Sequence, residues 1–254
     1  MYRFNRAIIF LFCCIFLITA FSHDAYSQRQ VEIRNIPHYD YRPYHFGFLL
    51  GVNKMDFALK PVDNLIELDY KELEDPINKF DNLYTVLPKH DFGFNIGIVS
   101  NLKLGKYFDL RFIPTLTFGD RTIVYEGIYN NDVLRDREQK IESTFLDFPL
   151  HLKYKSARIN NTRVYVIGGI KYTYDLASGE DRYGDDDILA RISRNDYYYE
   201  LGIGFDHYFY YFKFSTELKA SFGMNDILER EGTIYTNSIE SLKSQIIQLS
   251  ILFE

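Results

Sequence analysis

Residues 212–222, FKFSTELKASF, alternate between apolar and polar side chains along their length. Phe212, Phe214 and Leu218 fall on one face, whereas Lys213 and Glu217 fall on the other. Successive side chains of a β-strand point to opposite faces, so this period of two predicts a strand. An aromatic face set against a charged face indicates that the strand separates two different environments.

The same alternation returns in seven other stretches of the chain. The connections alternate between short turns and long polar segments at 54–90, 120–140, 176–196 and 223–243. Short turns on one side and long loops on the other are typical of an outer-membrane barrel. The sequence therefore predicts an all-β fold: an eight-stranded antiparallel transmembrane β-barrel with short periplasmic turns, long extracellular loops and both termini in the periplasm. The seven other stretches begin at Tyr44, Phe92, Phe108, Leu146, Val164, Leu201 and Ile247.

A soluble lipocalin-like barrel or a β-sandwich is the main structural alternative. It would turn the aromatic faces inward and leave the charged faces in water. The uninterrupted aromatic runs, the loop asymmetry and an export signal favour a lipid-facing exterior instead. An aromatic cluster beside the short turns fits the interfacial girdle of a membrane barrel; its members are Tyr107, Phe108, Tyr208, Phe209, Tyr210 and Tyr211.

Residues 1–27 have the three parts of a secretory signal peptide. Arg3 and Arg6 make the start positive, residues 7–21 are apolar, and residues 25–27 (AYS) form a small-x-small cleavage site. A retained helical anchor is the alternative, but the apolar run is shorter than the about 20 residues that span a bilayer. We expect a cleaved signal peptide (1–27), a periplasmic lead segment (28–43) and a barrel (44–254) in the outer membrane of a Gram-negative bacterium.

Composition and motifs argue against several functions. A net charge of -6 gives no basic footprint for nucleic acid. The two cysteines, Cys13 and Cys14, are adjacent, which excludes a disulfide framework. The histidines have no zinc-ligand spacing. A lipid-modifying enzyme would need a nucleophile paired with a histidine on the lipid-facing side, whereas His151 faces inward in this register. We therefore expect no cofactor, no metal and no catalysis.

Charged side chains are predicted to fill the barrel. Eight strands enclose an interior just wide enough for side chains, which excludes a wide channel. Charges of both signs should pair there because unpaired buried charge is costly. A salt-bridged plug is favoured over a proton or ion path. The predicted interior charge network is Asp109, Arg111, Asp147, His151, Lys153, Lys171, Glu200, Lys213, Glu217 and Lys219.

Two of the long loops are candidates for binding. The acidic stretch 179–187 (GEDRYGDDD) has oxygen ligands for calcium, but it lacks ordered EF-hand spacing, so a solvated loop is favoured. The first long loop carries apolar residues among its acids, which is typical of a partly ordered docking surface. The candidate docking residues of the two loops are Leu59, Leu65, Ile66, Asp185, Asp186 and Asp187.

Four segments of the chain resemble a known family. Residues 144–154 (TFLDFPLHLKY) are similar to a broad strand motif of small PorT-family barrels. More specific are 44–57 (YHFGFLLGVNKMDF), 168–178 (GGIKYTYDLAS) and 217–228 (ELKASFGMNDIL), which resemble the PorT/SprT-type outer-membrane proteins of the type IX secretion system. The resemblance spans about residues 39–253. Two small departures are Asp147, where many relatives have Glu, and the polar His151.

This resemblance implies a component required for type IX protein secretion and, in gliding bacteria, for delivery of motility adhesins. The family offers no catalytic residues to carry over. Since a filled barrel cannot be the conduit, we expect an accessory role in assembling, stabilising or docking the machinery. The expected partners are other type IX components in the outer membrane or periplasm, contacted through 54–90, 176–196 or 28–42, with outer-membrane lipid around the barrel. A lipid-modifying enzyme and a structural barrel or surface adhesin remain alternatives.

Overall fold

Strands dominate the computed structural model of the chain, which describes residues 34–65, 82–129, 133–177, 190–230 and 232–254. Two helical elements lie wholly within these ranges, a 3-10 turn at Tyr39–Tyr41 and one α-helical turn at Ile234–Asn237. No helix in the described ranges is long and apolar enough to cross a membrane. The strands are β1 (Tyr44–Pro61), β2 (Asn82–Lys103), β3 (Phe108–Phe112), β4 (Thr115–Tyr129), β5 (Val133–Lys155), β6 (Thr162–Asp175), β7 (Arg191–Ile192), β8 (Asn195–Tyr208), β9 (Lys213–Gly223), β10 (Leu228–Glu229) and β11 (Ile239–Phe253).

The main sheet closes on itself. Its order is β1-β11-β9-β8-β6-β5-β3-β2-β4, with further pairings of β1 with β2 and of β5 with β4. Strands β3 and β4 both lie between β2 and β5 and are two parts of one barrel strand. The break falls at Pro114, which has no N–H to donate to a neighbouring strand. The predicted eight-stranded antiparallel barrel is therefore confirmed.

The two faces of the wall have opposite polarity. On β8, Tyr197, Leu201 and Ile203 are exposed on the outside, whereas Glu200 and Asp206 are buried on the inside. A soluble barrel would have the reverse arrangement, with its apolar face inward. The exposed apolar belt thus favours contact with lipid over the soluble alternative.

The barrel has two different ends, which we name by their connections. The short-turn end carries the turns at 104–107, 156–161 and 209–212, together with the start of β1 and the end of β11. The long-loop end carries the other connections. The girdle prediction was wrong for Tyr208, which is 2% exposed because its ring packs inside the barrel mouth beside Tyr39.

The predicted long loops at 54–90 and 120–140 were wrong over much of their length, because β1, β2, β4 and β5 continue beyond the apolar belt. The polarity of these strands reverses where they leave the belt. On β1, the outward face changes from Val52 to Lys54 and Asp56, while the inward face changes from Asn53 to Met55 and Phe57. Outside a membrane, the polar face must meet water and the apolar face must be buried.

An apolar core fills the long-loop end. Phe57, Ile123 and Tyr125 on the extended strands pack against Ile234 and Tyr235 of the helical turn. Other members come from the segments around β7 and β10, which pair with each other. We call this the long-loop cap: Ala190, Ile192, Ile227, Leu228, Ile234 and Tyr235. Burial raises the pKa of the Tyr125 hydroxyl.

The belt can be tested with a matched pair of substitutions. Leu249, in the belt on β11, and Leu87, on the extension of β2, are 54% and 48% exposed. Leu249→Arg should lower the free energy of unfolding by about 2–4 kcal/mol because arginine at the bilayer midplane is costly. Leu87→Arg should leave it nearly unchanged. Urea titration of protein folded into lipid vesicles measures both, and equal values would contradict a lipid-facing belt.

Candidate functional site: a filled interior and its two ends

The structure places all ten side chains of the predicted charge network inside the barrel, each at most 5% exposed. Within the described residues, the interior contains equal numbers of buried cationic and buried anionic side chains. The cations are Arg111, Arg121, Lys153, Lys155, Arg163, Lys171, Lys213 and Lys219, and the anions are Asp109, Asp147, Asp175, Asp196, Glu200, Asp206, Glu217 and Glu254. This balance lets a narrow interior hold charge without a large excess of either sign.

Arg111 is the centre of one cluster near the short-turn end. Its guanidinium lies 3.0 Å from a carboxylate oxygen of Glu217 and 3.3 Å from one of Glu254. Lys213 lies 2.9 Å from Glu254, and the Tyr165 hydroxyl donates to Glu217 at 2.8 Å. The cluster joins β3, β6 and β9 to the residue that follows β11, so it braces opposite walls of the barrel.

Glu200 is the centre of a second cluster. One of its oxygens lies 2.5 Å from Nε2 of His151 and 3.3 Å from Nζ of Lys219. The other accepts a hydrogen bond from Ser221 at 2.5 Å and lies 3.6 Å from Lys171. A carboxylate with this many donors is satisfied in a buried site.

The remaining charges of the middle of the barrel form smaller sets. Lys153 bonds both oxygens of Asp206, at 2.8 and 2.9 Å, and its ammonium lies 3.6 Å from the ring centre of Tyr165. Gly204 leaves space for that ring, since a Cβ there would lie 2.3 Å from Tyr165 Cζ. Lys153, Asp206 and Tyr165 therefore pack in direct contact inside the barrel.

Sequence reasoning missed several members of the interior. Lys155, which pairs with Asp109 at 2.5 Å, and Arg163 continue the inward period of β5 and β6, so a longer reading of that pattern would have found them. Arg121 lies beyond the belt, between the rings of Phe57 and Phe145 at 4.5 and 4.9 Å. It was missed because residues 120–140 read as a loop.

The lead segment is not simply extended. Residues 34–42 include the 3-10 turn and enter the barrel mouth at the short-turn end; we call them the N-terminal strap. Tyr39 donates a hydrogen bond to Glu254 at 2.8 Å. Its ring stacks on His45, with centres 3.8 Å apart, and meets the ring of Tyr208 edge-on. Burial raises the pKa of Tyr39 far above its usual value, so the hydroxyl stays protonated and remains a donor.

Further contacts hold both ends of the strap. Asp40 pairs with Arg163 at 3.0 Å, and its carbonyl accepts a hydrogen bond from Lys103. Asn35 donates to Asn161 and to the carbonyl of Tyr208, both at 2.9 Å. The strap therefore closes the short-turn end, as the long-loop cap fills the other end.

The candidate docking residues and His151, the histidine considered for the enzyme alternative, take different positions. Leu59 is partly buried against the apolar core, and Leu65 is buried. Ile66 and Asp185, Asp186 and Asp187 lie outside the described residues. His151 is fully buried beside Glu200, away from the lipid-facing wall. Among the described residues, no three His, Cys, Asp or Glu side chains group in a way that could hold a metal ion.

Comparison with known proteins points to one class. A family model described as an outer membrane protein beta-barrel domain matches residues 26–229. The crystal structure of the outer membrane protein OprG from Pseudomonas aeruginosa is similar, with a TM-score of 0.43 and 11% identity over 82% of this chain and 92% of that chain. A likeness this distant carries no information about function. No curated protein matches the sequence.

The Arg111 cluster can be tested by removing its cation. Arg111→Met would leave Glu217 without its ion pair, and breaking a buried pair on one side costs about 3–5 kcal/mol of stability. Adding Glu217→Gln removes the charge left unpaired and should recover part of the lost stability. Urea unfolding in lipid vesicles measures both variants. As a control, Lys60→Ala removes an exposed ion pair with Glu240 and should not change the urea concentration at the midpoint of unfolding. Wild-type stability of Arg111→Met would show that the pair is dispensable.

The strap can be tested with two tyrosines that lie two positions apart. Tyr39→Phe removes the hydrogen bond to Glu254, and a hydrogen bond to a charged group contributes about 1.5–3 kcal/mol. Amide exchange in residues 34–42, measured by mass spectrometry, should therefore rise by about tenfold or more. Tyr41→Phe, at an exposed position, is the matched control and should leave exchange unchanged. If the two variants behave alike, Tyr39 does not hold the strap.

Proposed function

Because the chain belongs to the family of outer membrane protein beta-barrel domains, we propose that it is a sealed, non-catalytic accessory of the type IX protein secretion machinery. The observation that carries this proposal is the closed interior. Paired charges fill the middle, the long-loop cap fills one end and the N-terminal strap closes the other. A barrel filled in this way has no bore for a folded cargo protein, so its role is exerted through its surfaces.

The type IX assignment draws on the sequence resemblance to PorT-family barrels. The four segments that carry it lie on β1, β5, β6 and β9 and in the connections after them. Members of that family are required for secretion without being known enzymes. In this chain the resemblance and the filled interior agree on a protein that assembles, stabilises or docks other components. In gliding bacteria, the same role would extend to the export of motility adhesins.

The proposed orientation follows from the connections. Short turns face the periplasm in outer-membrane barrels, and longer loops face the outside. We therefore assign the short-turn end, with the strap and Glu254, to the periplasm of a Gram-negative bacterium. The charged outward residues beyond the belt, such as Lys54 and Asp56, then lie on the extracellular side of the bilayer.

The position of His151 argues against the lipid-modifying enzyme. A histidine acting on lipid must reach the substrate, either directly or through a nucleophile. His151 is fully buried and its Nε2 is engaged by Glu200. This supports the assignment of a non-enzymatic role.

Deletion of the gene tests the role directly. We expect type IX cargo to remain in the cell instead of reaching the surface or medium, as measured by immunoblotting of fractions. Wild-type protein and a His151→Gln variant should both restore export, provided that both reach the outer membrane at equal levels. Lipid A, profiled by mass spectrometry, should be the same in all strains.

Two results would contradict the proposal. Normal cargo export in the deletion strain would favour a structural barrel or a surface adhesin instead. Changes in envelope integrity or in attachment would then identify which of the two it is. An altered lipid A that the wild-type gene restores and the His151→Gln variant does not restore would indicate the enzyme.

A further inference from the structure

The short-turn end has an unusual distribution of charge for a chain whose net charge is -6. Arg34 and Arg42 on the strap and Lys106 in the β2–β3 turn are exposed. The acidic side chains of this end are engaged elsewhere. Asp109, Asp206 and Glu254 are buried in ion pairs with lysines, and Asp40 is paired with Arg163. The described part of this end therefore presents cations without an unpaired acidic side chain.

The long-loop end provides the contrast within the same molecule. Several of its exposed cations are neutralised by neighbouring acids. Lys60 lies 2.5 Å from Glu240, and Lys140 lies 2.7 Å from Asp120. Arg34, Arg42 and Lys106 thus differ from Lys60, Lys89 and Lys140, because no acidic side chain of the described residues pairs with them.

Exposed aromatic residues accompany these cations. Tyr41 on the strap is 80% exposed, and Tyr210 and Tyr211 in the β8–β9 turn are 78% and 95% exposed. These values exceed those of the belt residues on β8, which range from 42% to 58%. Tyrosine and arginine are among the residues that most often dominate binding energy in protein interfaces.

The location of the strap decides which partner is favoured. Interfacial tyrosines and cations of a barrel normally meet lipid headgroups around its rim. Tyr41 directly follows Tyr39 and Asp40, whose side chains bond Glu254 and Arg163 in the barrel mouth, so Tyr41 belongs to a segment that enters the mouth and not to a strand of the outer wall. The strap is also held by several hydrogen bonds, which reduces the entropy that a partner must remove on binding.

We propose that the short-turn end is a docking face for an acidic polypeptide segment that carries apolar side chains, with Arg34, Arg42 and Tyr41 as its main contacts. The acidic groups of the segment would meet the open cations, and its apolar groups would pack on the exposed tyrosines. Complementary charge of this kind speeds association and selects the partner. The inference that this partner is periplasmic rests on the proposed function.

The test uses the full chain in nanodiscs of neutral phosphatidylcholine and a fluorescein-labelled 20-residue peptide of Glu and Phe. Anisotropy should report binding that weakens with added salt. The double variant Arg34→Glu/Arg42→Glu should weaken it by about tenfold or more, whereas Arg34→Lys/Arg42→Lys should retain it. Lys54→Glu/Lys243→Glu, which makes the same change in net charge at the opposite end, is the matched control and should bind as the wild type does. Binding of a peptide with Lys in place of Glu should not be weakened when Arg34 and Arg42 are replaced by Glu.

Three results would overturn the docking face. The first is no binding of the acidic peptide. The second is equal loss in the Lys54 and Lys243 control. The third is that the protein retains spin-labelled phosphatidylglycerol in a way that depends on Arg34 and Arg42, while the peptide does not bind. This end would then contact lipid headgroups. The secretion role fails separately: a deletion strain with normal export overturns it whatever the peptide does. Failed peptide binding with blocked export overturns only the docking face.

Discussion

The pairing of charges inside a narrow barrel is the constraint on which the rest of this structure depends. An eight-stranded wall leaves no central space for bulk water, so each charge that points inward must find a partner across the barrel. Arg111 reaches Glu217 and Glu254, and Glu200 gathers His151, Lys171 and Lys219. These pairs fix the packing of the interior, and with it the absence of a bore among the described residues.

The reversal of polarity on β1 extends the same logic beyond the membrane. Within the belt, the outside is apolar and the inside is charged; above Asn53, the inside becomes apolar and the outside becomes charged. One continuous strand thus has an outer face suited to lipid along one part and to water along the other. The extension and the long-loop cap form a core of the ordinary soluble kind, which contains Phe57, Ile123 and Tyr235.

Much of the fold was predictable from the sequence, because a period of two specifies both a strand and its inward face. All ten predicted network residues, from Asp109 to Lys219, face the interior for that reason. The extensions of β4 and β5 were missed because the apolar face changes sides there, and a search for one continuous apolar face ends at that point. Tyr39 and Glu254 lie outside the periodic strands, so their meeting depends on the closed barrel and has no local signal.

The bond between Tyr39 and Glu254 has a consequence for assembly. Its partners are 215 positions apart, and Glu254 follows β11, the strand that pairs with β1 to close the barrel. Contacts between residues so distant in sequence form slowly, so we expect the bond to form only once the barrel is closed. A strap bound in the mouth therefore marks a fully assembled barrel. A protein that binds this strap would not bind barrels in which β1 and β11 are still unpaired.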